Sequence, residues 1–138
     1  MGRIIALDYG KKRTGIAATD PLKIIANGLL TIETEKLFDF LKDYAGKESV
    51  EKIIIGNPTN LDGSPTDATA SVQHCIRRLK NMFPAIPVIP VDERYSSKMA
   101  SRAMVEMGMK KKDRRDKSNI DVIAATMMLQ DYLANNIL

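Results

Sequence analysis

At 138 residues and 15.3 kDa, the chain is long enough for one domain, expected over residues 1–138, and too short for two of ordinary size. Its 44% hydrophobic and 28% charged residues exclude a disordered chain, and a single cysteine with a single histidine excludes both a disulfide framework and a Cys/His zinc cluster. The net charge of +4 is concentrated, because Lys110 to Lys117 hold six basic and two acidic side chains; such a segment is the footprint of a polyanion binder or, more plainly, of a solvated loop.

In chain order, Arg3 to Tyr9 is rich in Ile and Leu and predicts a strand. Its apolar stretch, Ile4 to Leu7, is too short for a secretory signal, and no later run is long enough to cross a membrane as a helix. A cytoplasmic location without a membrane partner is expected. Gly10 to Arg13 reads as a turn and Thr14 to Thr19 as a second strand, which makes a hairpin broken by Asp20-Pro21. Leu29 to Thr34 predicts a third strand. Leu37, Phe40, Leu41 and Tyr44 recur at helical spacing, with Gly46 as the stop. Lys52 to Ile55, bounded by Gly56, has the look of a buried strand. The stretch from Gly56 to Asp67 is long for a connection in a small domain, and such loops are usually functional. Val72, Cys75, Ile76, Leu79 and Phe83 form a second helical stripe ending at Pro84, and Ile86 to Val91 predicts a fifth strand. Met99, Ala103 and Met107 mark a third helix before Gly108, and Ile120 to Leu133 a fourth, strongly apolar one. The order β-β-β-α-β-α-β-α-α implies an α/β fold. Its sheet is mixed and five-stranded, a meander extended by parallel strands through right-handed crossovers, with helices on both faces.

Four acidic residues sit where packing alone would not put them. Asp8 shares a strand face with Ile4 and Ala6, and Gly10 just beyond it lets backbone or ligand come close. An Asp in that place also serves as an ordinary turn residue. Asp92 and Glu93 end the fifth strand; neighbouring strand residues point to opposite faces, so one of the two can face a given cleft. Arg94 beside them is either half of a surface ion pair or a phosphate ligand. Asp121 lies on a helical face with Ala124, Ala125, Met128 and Tyr132, where a carboxylate should be paired or coordinated, although a place in the first helical turn would also suit the helix dipole. Two strand ends and one helix start can converge at one sheet edge. Three clustered carboxylates need a cation, and oxygen-only ligands favour Mg²⁺ or Mn²⁺. Beside a basic loop, such a site suggests phosphodiester cleavage with two ions about 3.5–4 Å apart.

Four motifs resemble one known family in the same order. They are Asp8-Tyr9-Gly10-Lys11-Lys12-Arg13-Thr14-Gly15-Ile16-Ala17; Ile54-Ile55-Gly56-Asn57-Pro58 with Asn60-Leu61-Asp62-Gly63; Asp92-Glu93-Arg94-Tyr95-Ser96-Ser97; and Lys117 to Leu133 around Asp121. Together they resemble the YqgF-type proteins, the pre-16S rRNA nuclease or Holliday-junction-resolvase-like family, over nearly the whole chain. The resemblance implies a ribonuclease H-like fold and a metal-dependent nuclease that matures the 5′ end of 16S ribosomal RNA. By position it implies Asp8, Glu93 and Asp121 as catalytic, metal-binding carboxylates, favouring Glu93 over Asp92. The expected substrate-contacting residues are Lys11, Lys12 and Arg13, Asn60 in the central loop, Arg94, and Lys110, Lys111, Lys112, Arg114 and Arg115. Asn57 departs from the family, which more often has an apolar residue there.

Other readings weigh less. His74 and Cys75 are helical neighbours about 100° apart and cannot pair as base and nucleophile. Cys75 is expected in the core and His74 at the surface. The aromatics, four Tyr and three Phe, are too few for a base-stacking platform, so Tyr9 is expected to pack. The expected substrate is an RNA precursor. The alternatives are a DNA junction, cut by the same chemistry during recombination and repair, and a non-catalytic nucleic-acid-binding module. A nucleotide phosphotransferase would need a second lobe for which the length leaves no room.

Overall fold

Strand β1 (Arg3–Tyr9) is an almost unbroken apolar run, and a strand of that kind is stable where both of its faces are covered. The computed structural model describes residues 2–58, 67–93 and 117–136. In it β1 sits at the middle of a five-stranded sheet with β2 (Arg13–Thr19), β3 (Ala26–Glu33), β4 (Val50–Pro58) and β5 (Val88–Glu93), in the order β3-β2-β1-β4-β5. The β1–β2 and β2–β3 pairings are antiparallel, and β1–β4 and β4–β5 are parallel. This is the expected meander followed by crossover strands.

Helices α1 (Leu37–Lys47) and α2 (Asp67–Met82) cover one face of the sheet. There Leu37, Phe38 and Leu41 of α1, and Val72, Cys75, Ile76 and Leu79 of α2, bury against Ile5, Leu7, Ile16, Ile53 and Ile55. Helix α3 (Lys117–Asn136) covers the other face, where Ala125, Met128 and Leu129 bury against Ile4, Ala6, Ala17 and Ile54. The period of two along β1 sorts its residues into these two cores: Ile5 and Leu7 to the α1–α2 side, Ile4 and Ala6 to the α3 side. Two glycines let α3 lie close. A Cβ added at Gly28 would come within 2.5 Å of Val122 Cγ1, and one added at Gly15 would overlap the backbone carbonyl of Asp121.

Several boundaries differ from the sequence reading. Strand β4 continues past Gly56 to Pro58, because Gly56, Asn57 and Pro58 pair with Val91, Asp92 and Glu93 of β5. Strand β3 starts at Ala26, three residues early, and Thr34 leaves it to open a 3₁₀ turn (Thr34–Lys36). Gly46 does not stop α1; the stop comes at Glu48, whose extended backbone still donates its N–H to the Tyr44 carbonyl at 2.8 Å. A glycine in the last helical turn costs up to about 1 kcal/mol and need not end the helix. The expected third helix, Met99 to Met107, lies outside the described residues.

Candidate active site

Asp8 is the sixth residue of β1, half-buried, and it belongs to the Ile4–Ala6 face on which α3 packs. Directly across the antiparallel pair stands Gly15. Paired residues in such a ladder have Cα atoms roughly 4.5–5.5 Å apart. The backbone of Asp121 rests on the open space at Gly15, where any side chain would collide with it and would reach within 2.9 Å of the Val122 nitrogen. Gly15 is therefore the point at which the strand carrying Asp8 and the helix carrying Asp121 meet. A glycine inside a strand signals such an approach, so sequence alone held the clue.

The structure also decides one open question about Asp121. Helix α3 begins at Lys117, three residues before the expected Ile120, and no acidic residue lies in its first turn. Asp121 is in the second turn, where the helix dipole has largely faded, so the dipole does not account for it. A side-chain partner does: Arg13 Nε lies 3.5 Å from Asp121 Oδ2, with the two side chains 45% and 25% exposed. Arg13, Gly15 and Ala17 share the α3 side of β2, which is why the guanidinium reaches the helix.

Glu93 is the last residue of β5. By the period of two, its position continues the series of Ile89 and Val91, which pack with the α3-side core, while the position of Asp92 continues that of Val88 on the α1–α2 side. Register thus puts residue 93, and not 92, on the face of Asp8. Strand spacing separates β5 from β1 by about 10 Å, with β4 between them. The side chains of Asp92 and Glu93 lie outside the described residues, as do Asn60, Arg94 and the basic run Lys110, Lys111, Lys112, Arg114 and Arg115. Among the described residues no three His, Cys, Asp or Glu side chains gather closely enough to hold a metal ion. The backbone positions of Asp8 and Asp121 flank Gly15, and carboxylates from these and from position 93 would form an oxygen-only donor set of the kind that suits Mg²⁺ or Mn²⁺.

Lys11, Lys12 and Arg13 are exposed on the β1–β2 turn, at the same end of the sheet as Asp8. With Glu33 and Glu35 they line an open cavity of about 480 Å³. The close approach at Gly10 is to backbone: a Cβ there would stand 2.5 Å from the Arg13 carbonyl oxygen. Two residues that sequence reasoning passed over, Thr14 and Thr34, are buried beneath this turn and hydrogen-bonded to each other at 2.9 Å.

The remaining candidates take structural places. Cys75 is fully buried, and burial pushes its thiol up to about 12, so it is no nucleophile. His74 is exposed. Tyr9 packs against the α1–α2 core, and burial chiefly, with Cys75 adding, raises its phenol above the ordinary range. Asn57 lies within β4, not in a loop, and its buried Oδ1 has no hydrogen-bond partner among the described residues.

Comparison with known proteins places this arrangement. The RuvX family, described as Holliday junction resolvase, matches residues 2–135. A protein of Flavobacterium johnsoniae named "Putative pre-16S rRNA nuclease" is 50% identical over 135 residues, 98% of either chain. Proteins of the same name are 49% identical in Bacteroides thetaiotaomicron, over 96% of either chain, and 46% identical in Porphyromonas gingivalis, over 98% of either. Among solved structures, fowlpox virus resolvase in complex with Holliday junction DNA superposes with a TM-score of 0.63 over 99% of each chain, at 10% identity. That likeness shows the fold, which is ribonuclease H-like, as the strand order indicated. Full-length matches of this kind, over a sheet whose order and helix placement are those expected, show that the chain belongs to the YqgF-type, or RuvX, family.

Proposed function

We propose that this protein is a divalent-metal-dependent nuclease that hydrolyses phosphodiester bonds in structured RNA, the 5′ end of precursor 16S ribosomal RNA being its substrate. The observation that carries this reading is the meeting of Asp8 and Asp121 at Gly15, beside an exposed turn of three consecutive basic residues. The names carried by relatives about 50% identical over the whole chain support the substrate class.

The residues take the following roles. Asp8 stands on the central strand and Asp121 on a helix docked without an intervening side chain, so both carboxylates are held by rigid elements. Glu93, at the end of β5, supplies the third carboxylate from the same face. A bound Mg²⁺ or Mn²⁺ would lower the pKa of a coordinated water and offset charge on the scissile phosphate. Arg13, already within reach of Asp121, neutralises a phosphate next to the site, and Lys11 and Lys12 extend that contact along the backbone. Arg94, Asn60 and the Lys110 to Arg115 run are assigned to the same backbone track.

One observation favours a second reading: the family itself is described by junction resolution. In that reading the same residues cut a four-way DNA junction. One experiment tests both. Purified protein is incubated with Mg²⁺ or Mn²⁺ and either a 16S precursor or a four-way junction, and the cut ends are mapped. Cleavage of the precursor near the mature 5′ end, abolished by Asp8→Asn, is the expected result. Symmetric cuts in the junction with an untouched precursor would transfer the assignment to DNA. No metal-dependent cleavage of either substrate would leave a nucleic-acid-binding module.

A further inference from the structure

Beneath the basic turn lies a polar arrangement that a hairpin of exposed side chains does not require. Thr14 is fully buried and Thr34 is 7% exposed. The Thr34 hydroxyl donates to the Gly10 carbonyl at 2.5 Å, and it lies 2.9 Å from the Thr14 hydroxyl. A hydroxyl has one proton. Since that of Thr34 is committed to Gly10, Thr14 must donate to Thr34. The direction is therefore set as Thr14 to Thr34 to Gly10. The Thr34 backbone N–H donates in parallel to the Lys12 carbonyl at 2.9 Å. Thr34 thus holds the turn by two of its carbonyls, one on each side of Lys11.

The anchor comes from outside the hairpin. Thr34 opens the 3₁₀ turn between β3 and α1, so the relay ties a two-stranded turn to a third strand and a helix. The β1–β2 ladder ends at the Tyr9–Thr14 pair and the β2–β3 ladder at the Arg13–Glu33 pair, so neither pairing includes residues 10–12. A valine would fill the same volume as either threonine without carrying a buried hydroxyl, which is costly unless satisfied. What the two hydroxyls add is a defined placement for the backbone of Lys11 and Lys12, and hence for the rim of the cavity they share with Arg13, Glu33 and Glu35.

We infer that Thr34, relayed by Thr14, is a positioning residue for substrate: it holds Gly10 to Lys12 in the conformation in which Lys11 and Lys12 receive a phosphate backbone. This rests on the reading of that turn as a phosphate contact. Loss of the relay would cost binding and leave the chemistry alone, because Asp8 and Asp121 are held by the ladder and by Gly15 and not by Thr34.

The test measures cleavage of the 16S precursor, together with binding of the same labelled RNA without divalent metal. Thr34→Val should raise KM and the RNA Kd about five- to tenfold with kcat changed less than about twofold, as expected when charge-assisted contacts are misplaced. Thr34→Ser, which keeps the hydroxyl, should restore both to within about twofold of wild type. Should Thr34→Val fold poorly, Thr14→Val removes only the relaying hydroxyl and should show a smaller shift of the same kind. The double variant Lys11→Gln/Lys12→Gln separates the inference from the reading beneath it. If that variant binds RNA as tightly as wild type, the turn is not a phosphate contact and the inference falls with the reading. If it binds weakly while Thr34→Val leaves KM and Kd unchanged, the reading stands and the positioning role is overturned. A fall in kcat for Thr34→Val that serine does not rescue would likewise make the relay purely structural.

Discussion

The three carboxylates differ in what holds them, so their substitutions should separate by readout. Asp8→Asn, Glu93→Gln and Asp121→Asn should each reduce cleavage by at least about 100-fold, the scale seen when a group acting on the transition state is lost. Stability should barely follow. Asp121 has Arg13 at 3.5 Å with both side chains partly exposed, and such a pair contributes about 0–1 kcal/mol. Urea midpoints within that range, alongside lost activity, would mark a chemical role. Near wild-type cleavage by any one variant would remove that residue from the site. At this scale the sequence reading had a definite limit. Asp121 stood out because its helical neighbours are apolar. Its candidate explanation by the helix dipole depended on where α3 begins, and boundaries depend on tertiary contacts that periodicity does not register. Thr14 and Thr34 were invisible for a related reason. A threonine in a strand is ordinary, and only the fold brings residues 14, 34 and 10 together.

At the scale of elements, the alternation of strand and helix was legible because β1, β2 and β4 carry strong apolar patterns and α1 and α2 strong stripes. What could not be read was how closely α3 approaches the sheet. Gly15 and Gly28 set that distance, and they do so unequally. A methyl at Gly15 meets the backbone of Asp121, whereas one at Gly28 meets the ends of the Val122 and Thr126 side chains. Gly15→Ala should therefore destabilise by about 1–3 kcal/mol, the usual cost of overpacking, and suppress cleavage by moving Asp121. Gly28→Ala should cost less and leave more activity, because side chains can shift where backbone cannot. Denaturation midpoints paired with cleavage rates check the order. The β2–β3 turn offers an independent pH test. The Asp20 carboxylate accepts the N–H groups of Ile25, Ile24 and Leu22 at 2.7, 2.8 and 3.2 Å, and these bonds, that from Ile25 foremost, hold its pKa below the ordinary value. A depressed folded pKa means that the contribution is complete above the unfolded value, roughly 4, and is lost as pH falls through the folded one. Protection of the Ile24 and Ile25 amides, taken as exchange relative to the intrinsic rate at each pH, should stay flat from pH 5 to 8 and fall below about pH 4.

For the molecule as a whole, the charge distribution and the metal site give two measurements. If Asp8, Glu93 and Asp121 share a cation, Mn²⁺ or Mg²⁺ should raise the melting temperature by mass action. The triple neutral variant should show no such rise, and equal shifts in both proteins would count against a shared site. If the Lys110 to Arg115 run lies along the substrate, replacing Lys111, Lys112 and Arg114 by Gln should flatten the dependence of log affinity on log salt by about two units, at roughly 0.7 to 0.9 per phosphate contact. An unchanged slope would leave Lys11, Lys12 and Arg13 as the main polyanion surface. The excess positive charge was legible from composition, since it is a count. Its position relative to the carboxylates is a property of the fold, and the sequence offers only its adjacency to α3.

The placement of α3 also bears on the order in which this protein can come into being. Strands β1 and β2 leave the ribosome about a hundred residues ahead of the helix that covers Ile4, Ala6 and Ala17. Translation proceeds at about 5–20 residues per second, so that apolar face waits several seconds for its cover. During that interval the nascent chain has a surface that needs shielding, and it lacks Asp121. On the proposed role of Asp121, the event that buries the second core is also the event that completes the cleavage centre, and the chain would be inactive until then.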